Sequence, residues 1–73
     1  MIRFKLKELI SDYQFKEGRV LTMGEISEAT GINRNTLSKI ANQRGVSVVT
    51  SNVEALCRFF KCRVEDVMEF VEE

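Results

Sequence analysis

Two strong helix-start signals and one strong helix-stop signal fall within twelve residues of each other, and they constrain this chain more than any other feature. Thr22 is followed three residues later by Glu25, the spacing of a capping box that opens a helix. Gly31 then supplies a residue suited to the left-handed conformation that closes a helix, and Asn33 supplies the cap of the next one. The signals predict a helix from about 22 to 30, burying Ile26 and Ala29, and another from Asn33 to about Asn42 or Gln43. Only Gly31, Ile32 and Asn33 separate them, which forces a tight turn.

The rest of the chain is partitioned by the same reasoning. Leu6, Leu9, Ile10 and Tyr13 fall at helical spacing and predict a first helix over about 5–14. The segment Phe15–Leu21 breaks that period, with Gly18 as its turn residue. Ser51 and Glu54 form a second capping box for a helix of about 52–61, whose core stripe is Val53, Leu56, Cys57 and Phe60. A short fifth helix over about 64–70 would bury Val67, Met68 and Val71. Ile2–Leu6 alternates like a strand, as Val46-Ser47-Val48 does weakly, which allows a short two-stranded pairing between them. With no internal repeat, linker or low-complexity tract, residues 1–73 are expected to form one all-α, five-helix domain. A helix pair joined by a glycine turn, here at about 22–43, is the supersecondary signature of a helix-turn-helix.

Composition excludes several function classes. Seventy-three residues allow one modest core: folding should reduce roughly 12,000 Å² of chain surface to roughly 4,600 Å². Apolar residues are 44% of the chain and charged residues 30%, the balance of a folded soluble domain rather than a disordered tail. The longest apolar run is Ala55-Leu56-Cys57, far short of a membrane span or a secretory signal, so a cytoplasmic location and no membrane partner are expected. With no histidine and two cysteines, Cys57 and Cys62, a four-ligand zinc site has no source, and neutral-pH general-base chemistry lacks its commonest residue. Cys57 fits a small buried hydrophobe on an apolar helix face. No phosphate-binding glycine loop or nucleophile elbow occurs, so neither catalysis nor a cofactor or metal is expected, and no small-molecule ligand is evident.

The 11 basic and 11 acidic residues cancel, but they are segregated. Residues 1–45 hold 8 basic and 5 acidic side chains; residues 46–73 hold 3 and 6, crowded toward Glu65, Asp66, Glu69, Glu72 and Glu73. The 25 residues between Glu28 and Glu54 contain no carboxylate and include Arg34, Lys39 and Arg44. A polyanion is drawn to the middle of such a chain and repelled by its end. On a helical wheel of the third helix, Leu37, Ile40 and Ala41 gather on one side. Asn35, Ser38, Lys39 and Asn42 gather on the other, with Arg34 and Gln43 at the margins. Those outer side chains suit base edges, asparagine for adenine and arginine or lysine for guanine, although any surface helix has a polar outer face.

The stretch Thr22–Ile40, with its Thr30-Gly31-Ile32 turn, small polar cap and Thr36-Leu37-Ser38, resembles the Cro/phage-repressor (XRE-like) helix-turn-helix family. Leu56–Cys62 and Glu65–Met68 resemble the last two helices of that family, so the similarity covers about residues 5–70. The resemblance implies a compact five-helix repressor-like DNA-binding domain, generally of dimeric transcriptional regulators. It implies base contacts from Arg34, Asn35, Ser38 and Lys39, and phosphate contacts from Asn33 and Thr36, with Gln43 and Arg44 reaching the backbone just beyond the helix. Three departures stand out. Met23 occupies the place of a frequent phosphate-binding glutamine, and Gly24 beside it should weaken the first turn by about 1 kcal/mol relative to alanine. Ser27 replaces an alanine at the helix crossing. The longer loop 16–21 offers Lys16 and Arg19 as substitute phosphate contacts.

One short helix reads few base pairs, so a symmetric homodimer on a two-fold double-stranded DNA site is expected. Phe59 and Phe70 lie off the core stripes and form a candidate dimer surface; alternatively, they cover each other within one chain. A second functional reading also stands: a protein-interaction module or antitoxin-like accessory subunit, docking a protein partner and carrying a weak or vestigial DNA face.

Overall fold

Leu6, Ile26, Leu37, Leu56 and Val67 come one from each of five helices, and all are closed to solvent. Packing these five side chains together, with Leu21, Ile32, Ile40 and Val53 around them, defines the fold. The computed structural model describes residues 1–72; Glu73, the last acid of the tail, lies outside the described residues. The helices are α1 (Leu6–Glu17), α2 (Met23–Thr30), α3 (Arg34–Asn42), α4 (Thr50–Phe60) and α5 (Val64–Val67). A small antiparallel ribbon joins β1 (Ile2–Phe4) to β2 (Met68–Phe70), with Ile2 opposite Phe70, Arg3 opposite Glu69 and Phe4 opposite Met68. No described helix is long and apolar enough to cross a membrane. The core holds no buried polar or charged residue among those described, so apolar burial acts without a desolvated charge opposing it.

Several boundaries differ from the sequence reading, each for a physical reason. α1 continues to Glu17, a full turn beyond its apolar stripe, because the backbone ladder carries on in water. Phe15 in that turn is 90% exposed, and Gly18 ends the helix at φ 68° with its N–H bonded to the Gln14 carbonyl. β1 does not pair with residues 46–48 but with the far end of the chain, where the Lys5 N–H donates to the Val67 carbonyl at 2.7 Å. That pairing also stops α5 at Val67 and turns Met68–Phe70 into strand, since Phe4 and Met68 reach the core side by side across the ribbon. The Ser51/Glu54 capping box does not form. α4 starts two residues earlier, the Val49 carbonyl accepts the Asn52 and Val53 N–H groups, and Glu54 turns outward to Arg58 at 2.9 Å. Ala29 is exposed, because α2 has only eight residues and buries only Ile26. Cys57 is half-buried against the core instead of enclosed.

Candidate nucleic-acid interface

The turn between α2 and α3 is held by bonds that its own residues supply. Thr22 Oγ1 accepts the Glu25 N–H at 3.1 Å, and Asn33 Oδ1 accepts the Asn35 N–H at 2.7 Å, so each helix carries a side-chain cap. Gly31 takes φ 77° and donates its N–H to the Ser27 carbonyl. Thr30 Oγ1 donates to the Ile26 carbonyl and accepts the Ile32 N–H, while Ile32 itself drops into the core. Every step of this chain of contacts is local, and together they fix α3 against α2.

With Leu37 and Ile40 turned inward, α3 exposes Arg34, Asn35, Ser38, Lys39 and Asn42, followed by Gln43 and Arg44; Thr36 is half-buried at the side. The Asn42 side-chain amide donates to the Ser38 carbonyl at 3.0 Å, which pins that residue to the helix. The ion pairs among the described residues are Arg3 with Glu8 and Glu69, Lys5 with Glu69, Arg19 with Glu25, Arg58 with Glu54, and Arg63 with Glu65. None of them engages Arg34, Lys39 or Arg44. The basic groups of α3 and its exit therefore face solvent with no carboxylate among the described residues to neutralise them, a surface that attracts a polyanion.

Other residues singled out in the sequence are distributed differently. Lys16 lies on the face of α1 that lines a groove with Asp12, Tyr13, Phe60, Lys61 and Arg63, away from α3. Arg19 is engaged within the chain: its guanidinium donates to Glu25 at 2.8 Å and to the Tyr13 hydroxyl at 3.1 Å, and sits 5.5 Å from the Tyr13 ring centroid. That pair holds the Glu25 carboxyl below its ordinary range and raises the Arg19 pKa. Phe59 stacks on Tyr13 and meets Phe60 edge-on, with centroids 5.8 and 4.9 Å away, whereas Phe70 stands 69% exposed beside Ile2 on the ribbon. The two phenylalanines thus find different surroundings instead of covering each other.

Two further residues join this surface: Lys7, which the sequence did not single out, and Gly24, which stood in the sequence only as a weakening of the first turn of α2. Lys7, exposed on α1 and in none of those ion pairs, lines a groove with Gln43 and Arg44; its signal was a basic residue on the polar side of the first helix. Gly24 lies under Arg34: a Cβ placed on it would stand 2.6 Å from Arg34 Nη2 and 3.1 Å from Cζ. The signal available in the sequence was a glycine two residues after the Thr22 cap, where no turn calls for one.

The helix-turn-helix geometry, the matched caps and the unneutralised basic face now stand beside a direct comparison. The family model for the Cro/C1-type HTH DNA-binding domain matches residues 5–73. The chain belongs to that family. Its Cro/C1-type domain is also similar to an uncharacterised HTH-type transcriptional regulator, YozG, of Bacillus subtilis (strain 168), with 31% identity over 52 residues. The match covers 71% of this chain and 62% of the relative, so the chain spans less than two thirds of that regulator's length. No solved structure matches the chain significantly. In this Cro/C1-type domain α2 and α3 form the DNA-binding helix-turn-helix.

Proposed function

We propose that the protein is a small sequence-specific transcriptional regulator, acting as a repressor, with residues 1–73 working as one DNA-binding unit. In this reading α3 enters the major groove while α2 crosses the sugar-phosphate backbone. Arg34, Asn35, Ser38 and Lys39 contact base edges, and Thr36, Gln43, Arg44 and Lys7 contact phosphates. Asn33 adds a phosphate contact only with whatever hydrogen-bonding capacity its cap leaves free. Lys16 and Arg19 are weaker candidates, because their positions and intrachain partners turn them from α3. A homodimer on a two-fold site supplies the base pairs that one helix lacks.

The observation that carries the reading is the absence of any carboxylate from residues 29–53, together with the lack of an ion-pair partner for Arg34, Lys39 and Arg44 among the described residues. Selection from a random duplex library at about 0.15 M salt tests it. The expected outcome is a two-fold motif for the parent chain that an Arg34→Ala/Lys39→Ala double variant loses or blurs. A parent that enriches no sequence would overturn the reading in favour of a protein-docking module.

A further inference from the structure

The protein has four glycines, and three have a backbone reason to be glycine: Gly18, Gly31 and Gly45 take φ of 68°, 77° and 65°. Gly24 has none. It lies within α2 with ordinary helical φ, where glycine is a poor helix former. Space accounts for it. The missing Cβ would stand 2.6, 3.1 and 3.5 Å from Nη2, Cζ and Nε of Arg34, so one edge of the guanidinium lies against the bare backbone of the first turn of α2. Arg34 is the first residue of α3 and pairs with no carboxylate among the described residues. The contact is therefore steric support and not an ion pair.

We propose that Gly24 is a positioning residue for DNA binding: it forms a seat that holds the Arg34 guanidinium along the seam between α2 and α3, aligned toward the duplex. The proposal rests on the DNA-reading function of α3 and adds a determinant on the neighbouring helix. A flexible arginine loses rotamer freedom when it binds, and a seat that restricts it beforehand reduces that loss. A methyl group at position 24 meets the tip of a long side chain and no backbone, so the helix survives and the guanidinium is displaced.

The test is a double-mutant cycle of Gly24→Ala and Arg34→Ala, read as duplex affinity on the selected site and as Tm. Gly24→Ala is expected to bind about fivefold or more weakly in the parent, and to change affinity less than about twofold when Arg34 is already alanine. Its Tm is expected to equal or exceed the parent's, because alanine is the better helix former. Equal losses in both backgrounds, or no loss in either, overturn the seat while leaving DNA binding intact. A parent that binds no duplex overturns the DNA reading itself and the seat's role in it.

Discussion

Asn33 combines two roles that only a measurement of stability can separate. Its side chain accepts the Asn35 N–H at 2.7 Å and so closes the first turn of α3, whatever it does at a phosphate. Asn33→Ala should cost about 1 kcal/mol and lower Tm by roughly 4–8 °C, whereas a residue with only a DNA role would leave thermal melting unmoved. Arg19 is a second case in which the local partner decides. Its hydrogen bond holds the Glu25 carboxyl below the ordinary range, so the stability that this pair contributes is present above the unfolded pKa. That contribution disappears as pH falls through the lower folded value. Glu25→Gln should therefore melt below the parent at pH 7, and the two curves should converge in strong acid. A gap that persists in acid would mean that Glu25 acts through something other than its charge. Neither Asn33's cap nor Gly31's turn needed a structure to be seen, because both act on neighbours two to four residues away. Arg19's capture by Tyr13 and Glu25, six residues to either side, depends on how α1 and α2 pack, and the sequence reading set that arginine free for phosphate.

Among the elements, α2 and α3 stay close to their predicted bounds, and the chain ends do not. Lys61 shows how an end can be strained yet tolerated: it closes α4 at φ 54°, ψ 52°, a left-handed position without glycine. Lys61→Gly should raise stability by about 1 kcal/mol, visible as a higher denaturant midpoint with an unchanged slope. The site is exposed, so an unchanged midpoint would indicate that Lys61 makes a compensating contact. α5 looked like a helix to residue 70 because Val67, Met68 and Val71 suit helical spacing. The same residues serve a four-residue helix followed by a strand once β1 offers its backbone to Met68–Phe70. A strand's partner is not encoded in its own alternation, which is why the weakly alternating Val46-Ser47-Val48 stands in the sequence as the partner of Ile2–Leu6.

At the scale of the molecule, two phenylalanines that seemed alike should respond differently to the same change. Phe59→Glu drives a carboxylate into the ring cluster of Tyr13 and Phe60 and should destabilise the fold by roughly 1–3 kcal/mol. Phe70→Glu alters an exposed strand position, so melting should stay within about 0.5 kcal/mol of the parent. If the exposed Ile2–Phe70 pair lies at the proposed dimer contact, sedimentation of Phe70→Glu will show half the parent's mass; an unchanged mass would place that contact elsewhere. The sequence by itself determined the helix-turn-helix, its caps and its polar outer face, because those depend on spacing and on bonds made within a single turn. Tertiary packing alone decided that the two chain ends zip into a ribbon, that Arg19 is held by Glu25, and that Arg34 rests on Gly24. These contacts join separate elements, and their geometry is set only when the shared apolar core brings those elements together.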